Sequence, residues 1–168
     1  MPATESTSVW VGLGSNLGDP RAQVRTAVRA LASEVPASRL CTVSSLYSSP
    51  PMGPPDQPDY VNAVAGLETS LEPLAFLAAL QDIERRHGRR RDGVRWGPRT
   101  LDLDLLLWGE TELDLPQLKV PHPGLTSRAF VLYPLAELAP DIRVPRHGAV
   151  ATLRDRVDGS GLRRLDAE

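Results

Sequence analysis

The order in which this chain switches between a two-residue and a 3.6-residue hydrophobic period constrains its fold more than any other feature. Val9, Val11 and Leu13 alternate as one face of a first strand. Asp19-Pro20 then gives a helix N-cap followed by proline at the first helical position. Val24, Ala27, Val28, Leu31 and Val35 recur at helical spacing up to Pro36. Arg39 to Ser48, rich in Thr, Val and Ser, reads as a second strand, and Tyr60 to Glu68 as a third, antiparallel to it. Val61, Ala63, Ala65 and Leu67 share one face of that third strand. Glu72-Pro73 opens a second helix with Phe76, Leu77, Leu80 and Ile83 as its apolar stripe, ended by Gly88. Leu101 to Trp108 alternates again as a fourth strand. The order βαββαβ predicts an α+β, ferredoxin-like core: an antiparallel sheet with helices packed on it, plus a C-terminal extension. In that extension Leu118 to Pro123 is expected to be extended, Ser127 to cap a short helix running toward Leu138, and Ala149 to Val157 to form a last helix.

At 168 residues the chain is expected to form a single domain over 1–168, with 1–7 as a flexible N-terminus and 160–168 as a flexible tail. Met1 to Ser8 has no apolar core of the kind a secretion signal carries, so a cytoplasmic protein is expected. Cys41 is the only cysteine, which rules out an internal disulfide and predicts a small buried strand residue. With a net charge of −2 there is no global electrostatic case for a nucleic-acid or membrane partner. Lys119 is the only lysine among 19 basic residues and lies in no Gly-x-x-x-x-Gly-Lys context, which excludes a Walker-type nucleotide site.

Asp102 and Asp104 fall two apart in the fourth strand, so both face the same way, about 6.6 Å apart along it. Two like charges that close beside an apolar run call for a cation between them. Upstream, Arg85 to Arg99 holds seven arginines and one acid, Asp92. Guanidinium groups suit bidentate phosphate recognition, and Gly88, Gly93 and Gly97 suit a closing lid. A solvated charge run is the alternative, favoured for Arg85, Arg86 and Arg90. A nucleic-acid patch is a third, weakened because Trp96 is the only aromatic there.

Gly12 to Gly18 nearly matches the dinucleotide fingerprint, but Leu17 stands where the third glycine belongs. It reads instead as a tight strand-to-helix turn that brings backbone close to a bound group. Ser49 to Pro58, with five prolines in the nine residues from Pro50, reads as a stiff loop. Tyr60 and Asn62 share a strand face, where an aromatic ring and a carboxamide can stack on and hydrogen-bond a flat heteroaromatic. Phe130 and Tyr133 are candidates for the opposite side of that slot. His122, held between Pro121 and Pro123, is a candidate phosphate contact; His87 and His147 have no supporting context.

Gly12 to Gly18, Tyr47-Ser-Ser-Pro-Pro-Met-Gly53, Gln57 to Asn62, Gln81 to Glu84, Arg95-Trp-Gly-Pro-Arg-Thr-Leu-Asp-Leu-Asp104, Val120-Pro-His122 and Arg128-Ala-Phe130 together resemble the 6-hydroxymethyl-7,8-dihydropterin pyrophosphokinases of folate biosynthesis. The likeness runs from Val9 to about Pro145. It implies transfer of pyrophosphate from ATP to the pterin's hydroxymethyl oxygen, with release of AMP. It implies Asp102 and Asp104 as ligands of two Mg²⁺ ions, and Arg89 and Arg99 as catalytic beside them. It implies Gln81, Glu84, Arg91, Arg95, Trp96, Arg99, Leu105, His122 and Arg128 on the ATP side. On the pterin side it implies Ser49, Pro50, Pro51, Met52, Tyr60, Asn62 and Phe130. The expected partners are these two small molecules and neither nucleic acid nor membrane, and the family's usual state is a monomer. Ser49, Met52 and Pro123 depart from residues common in the family; none of them removes a charge or a metal ligand. Two rivals remain: an ordinary kinase moving the γ-phosphoryl group, and an RNA-binding module on the same fold.

Overall fold

The computed structural model describes residues 6–16, 19–50, 59–88 and 101–165. Strand β1 (Thr7–Ser15) leads into helix α1 (Pro20–Ser33), then β2 (Ser38–Val43), β3 (Tyr47–Ser49) and β4 (Tyr60–Thr69). Helix α2 (Pro73–Ile83) follows, continued by a π-helical turn over Glu84–Gly88, and then β5 (Asp102–Trp108). Two short ribbons come next, β6 (Leu113–Asp114) with β7 (Lys119–Val120), and β8 (Arg143–Val144) with β9 (Gly148–Ala149). Helix α3 (Ala129–Leu138) lies between the ribbons, α4 (Val150–Asp155) follows β9, and β10 (Arg163–Arg164) comes last.

The main sheet is antiparallel. β1 lies between β4 and β5, while β2 and β3 both pair with the outer edge of β4. This is the predicted ferredoxin-like order. Alternation along β1 and β4 sorts the side chains into two cores. Val9, Val11, Leu13, Val61, Ala63, Ala65 and Leu67 pack with α1 and α2 on one face. On the other face Val64, Leu106 and Leu107 pack with α3 and α4. Phe76 of α2, wholly buried, sits edge-on to Trp108 with ring centroids 5.7 Å apart. Burial of a side chain of that size contributes about 1.5–3 kcal/mol. α1 starts as predicted: the Asp19 carboxylate accepts from the Ala22 N–H at 3.2 Å, with Pro20 at the first helical position.

Several local expectations are corrected. Gly12 and Gly14 lie inside β1 rather than in a turn, because each is paired on both sides, with Val64 and Asn62 on β4 and with Asp104 and Asp102 on β5. The second strand is split. Ser44 Oγ accepts from the Val64 N–H at 2.9 Å, and its own N–H donates to the Val64 carbonyl at 2.8 Å. A side chain thus substitutes for a ladder bond between β2 and β3. The alternation of β5 is broken by a register shift against Trp10/Val11, so Leu106 and Leu107 both face α3. Ser127 is not the cap of α3. It ends a short 3-10 turn, Leu125–Ser127, and Arg128 occupies the N-cap. The last helix is confined to Val150–Asp155. Cys41 is on a strand but exposed, as an outer-edge position of the sheet allows. The expected tail, 160–168, contains β10, which pairs with β3 and extends the sheet. Among the described residues no helix is long and apolar enough to cross a membrane.

Candidate active site

α3 and α4 cover only part of the second sheet face. The remainder is a cleft lined by Gly12 and Gly14 of β1, Ser49 and Pro50 at the end of β3, Tyr60 and Asn62 of β4, Asp102 and Asp104 of β5, and Arg128 and Phe130 at the start of α3. Strand periodicity explains the grouping. Gly14 pairs with Asn62 on one side and Asp102 on the other, so three adjacent strands present one row on the same face. Gly14 is needed there. A Cβ at that position would sit 3.3 Å from Asn62 Oδ1 and 4.0 Å from the Tyr60 ring. Its absence keeps the floor of the cleft open between the aromatic side and the carboxylates.

Asn62 is buried, and its Nδ2 donates to Ser49 Oγ at 2.7 Å. Tyr60 has its hydroxyl pKa raised by burial and then by the Asp102 charge, so it stays a neutral phenol and a hydrogen-bond donor. The Arg128 guanidinium lies 5.7 Å from the centroid of the Phe130 ring, which orients both groups at the cleft mouth.

His122 stands beside the carboxylates, with Nε2 4.0 Å from Asp104 Oδ1. Its backbone N–H donates to the Leu106 carbonyl at 3.0 Å, tying it to β5. Nδ1 accepts from the Gly124 N–H at 3.0 Å. Burial lowers the imidazole pKa, helped by Arg128 and opposed by Asp104. The ring is therefore neutral at pH 7, with its proton on Nε2, the nitrogen turned toward Asp104.

The donor set suits a hard cation. Asp102 and Asp104 both reach the cleft, and the Asp104 side chain is 48% exposed. Among the described residues no cluster of three or more His, Cys, Asp or Glu side chains could hold a metal unaided. Two carboxylates, with phosphate oxygens and water completing an octahedron, are an ordinary Mg²⁺ environment.

Other sequence-predicted residues lie elsewhere. Glu84 is expected on the ATP side. Its Oε2 instead accepts from the Leu103 N–H at 2.7 Å, holding the backbone between the two aspartates. Gln81 is exposed on α2, against the opposite sheet face. The Leu105 side chain is buried in the α1/α2 core, because odd positions of β5 before the register shift point away from the cleft. Tyr133 does not line the cleft; it packs over Gly159. Arg85 and Arg86 pair with Asp82, and Arg86 and His87 both meet Glu34, which agrees with a solvated surface role for these arginines. Arg89, Arg91, Arg95, Trp96, Arg99, Pro51 and Met52 lie outside the described residues. Val131, which also lines the cleft, was not anticipated; among the apolar residues that make up most of α3 nothing in the sequence distinguishes it.

Comparison with known proteins bears on this cleft. A family model described as 7,8-dihydro-6-hydroxymethylpterin-pyrophosphokinase (HPPK) matches residues 10–140. The 2-amino-4-hydroxy-6-hydroxymethyldihydropteridine pyrophosphokinase of Pseudomonas aeruginosa is 55% identical over 157 residues, covering 94% of this chain and 96% of that protein. The enzyme of the same name from Haemophilus influenzae is 46% identical over 146 residues, covering 87% and 90%. The one from Bacillus subtilis is 44% identical over 133 residues, covering 79% and 78%. Among solved structures, wild-type Plasmodium falciparum HPPK-DHPS with pteroate superposes with a TM-score of 0.69 at 14% identity. The match covers 90% of this chain and 42% of that longer one, and it shows a shared fold.

Proposed function

The chain belongs to the 7,8-dihydro-6-hydroxymethylpterin-pyrophosphokinase family, and from that premise we propose how its cleft serves the reaction. The activity is transfer of pyrophosphate from ATP to the hydroxymethyl group of 6-hydroxymethyl-7,8-dihydropterin, a step of folate biosynthesis. The pterin hydroxyl oxygen bonds to the β-phosphorus of ATP, the bond to the α–β bridging oxygen breaks, and AMP leaves as the hydroxyl proton is lost.

One observation supports this reading above the rest: the aromatic-and-amide slot and the carboxylate pair open into the same cleft. The pterin ring lies between Tyr60 and Phe130. The Asn62 carboxamide, oriented by Ser49, reads the ring's edge beside Pro50. Asp102 and Asp104 bind Mg²⁺, two ions in this proposal. When bound, the cation neutralises phosphate charge and aligns the attacked phosphorus. Arg128 and the Nε2–H of His122 face the phosphates from the other side of Asp104. Glu84 keeps the aspartate-bearing backbone in register. Family resemblance supports Arg89 and Arg99 as catalytic arginines, Arg91, Arg95 and Trp96 as ATP contacts, and Gln81 on the nucleotide side. It also supports Pro51 and Met52 beside the pterin, and a monomer at work in the cytoplasm.

The test is product analysis with and without the reduced hydroxymethyl pterin. AMP formed only when the pterin is present is the expected result. ADP as the product would make the protein an ordinary kinase, and pterin-independent RNA binding without ATP turnover would favour the RNA-binding reading.

A further inference from the structure

We infer that Glu137 is a positioning residue of the pterin slot: from α3 it grips β3 and β10, and so fixes the gap between the wall that carries Phe130 and the wall that carries Ser49 and Pro50. This rests on reading the cleft as a pterin slot, as above. Glu137 itself does not line the cleft.

Its carboxylate is unusually well occupied. One oxygen accepts from the Ser45 N–H and the Ser45 hydroxyl, both at 3.0 Å. The other accepts from the Tyr47 hydroxyl at 2.7 Å. Arg164 of β10 adds a guanidinium nitrogen 3.8 Å away, and its Nε donates to Ser45 Oγ at 2.9 Å. Hydrogen bonds to an ionised acceptor are among the strong ones. They outweigh burial, which alone would raise the Glu137 pKa, and hold it below the ordinary value.

The lever arm follows from chain geometry. Phe130 precedes Glu137 by two helical turns, so both project from the same side of α3. Ser45 and Tyr47 precede Ser49 on the run that enters the cleft wall. β3 has only three residues, the short end of the usual range, so its ladder bonds are few. It is clamped from three directions: β4 on one edge, β10 on the other, and Glu137 from above. The C-terminal segment reinforces this. The Leu165 N–H donates to the Leu46 carbonyl at 2.8 Å, and a Cβ at Gly161 would sit 3.3 Å from the Pro50 ring. Gly159, closer to the start of the segment, lies against the Tyr133 ring of α3.

The experiment is steady-state kinetics on the full chain, varying each substrate at saturating levels of the other, for Glu137→Ala, Glu137→Gln and Arg164→Ala, with melting temperatures alongside. Glu137→Ala should raise the pterin KM on the order of tenfold, because a displaced wall misplaces the ring. The ATP KM should stay within about twofold, since Asp102 and Asp104 are held by other strands. Glu137→Gln should recover part of the loss, because its carboxamide oxygen still accepts from Tyr47. Arg164→Ala should shift the pterin KM in the same direction by less. Its side chain is 63% exposed, so it remains informative even where Glu137→Ala does not fold. An unchanged pterin KM in these variants, or an equal rise in both KM values, overturns the inference. A wild-type chain that forms no pterin-dependent AMP overturns the functional reading itself and, with it, this inference.

Discussion

Asn62 donates to Ser49 Oγ at 2.7 Å across two adjacent strands, with both side chains buried in the cleft wall. The bond fixes which way the carboxamide faces: Nδ2 toward β3, Oδ1 toward Gly14. Ser49→Ala removes the acceptor and leaves a buried donor unpaired, at a cost of about 1–3 kcal/mol. Chemical denaturation should record that loss. The pterin KM should rise while the ATP KM holds, because β4 and β1 lie between the strand of Ser49 and the strand of Asp102 and Asp104.

Gly14→Val places two methyl groups where a single Cβ already meets Asn62 Oδ1 at 3.3 Å. The expected outcome is weakened pterin binding by titration, at least about tenfold, because the added methyl groups crowd Asn62 and fill the open floor of the cleft. ATP binding measured alone should change little. Equal weakening of both ligands would mean that the floor of the cleft is shared between them.

Asp102→Asn and Asp104→Asn each keep the side-chain shape while removing a charge. Turnover should fall at least about a hundredfold, the scale of a lost electrostatic contact to reacting phosphates. Melting temperature should hold or rise, since two like charges share one strand face. Raising Mg²⁺ should recover part of the rate if the lesion is in cation affinity. A variant that unfolds instead would make the pair structural.

Glu137 has a folded pKa below its ordinary value of 4.5. A depressed carboxyl pKa stabilises the fold fully above the unfolded value, and that contribution disappears as pH falls through the folded one. The melting-temperature gap between wild type and Glu137→Gln should therefore be constant near neutral pH and close as pH drops below about 4.5. A gap that widens in acid would contradict the direction of the shift.

The frame of the fold was legible wherever one physical signal acted alone. The Asp19-Pro20 start of α1 and the alternation along Tyr60–Thr69 needed no tertiary context. Tyr60, Asn62, Asp102 and Asp104 share a cleft because a period of two puts them on one sheet face, and that period is visible in the residues. What escaped were features decided between segments. The register shift that turns Leu107 toward α3 is silent in a run of leucines, because both faces of the sheet are apolar there. The break at Ser44 depends on a partner twenty residues away, Val64. β10 is two arginines, a poor strand by propensity, and forms because β3 offers an unpaired edge. The part of the site that sequence alone left obscure is the bracing by Glu84 and Glu137. Their partners are a backbone N–H in one case and strand-edge groups in the other, neither of which has a sequence signature.

β1 is the first strand of the sheet to leave the ribosome and is flanked on both sides in the finished fold. Its partners, Tyr60–Thr69 and Asp102–Trp108, are synthesised much later. During translation its valines and both rows of backbone groups wait without their native neighbours, and an unpaired apolar strand is where nascent chains stick to one another. α1, which packs on Val9, Val11 and Leu13 in the native core, is the neighbour of β1 made early enough to cover them before β4 arrives. Slow translation between residues 16 and 60 would lower soluble yield without altering a single contact in the native molecule.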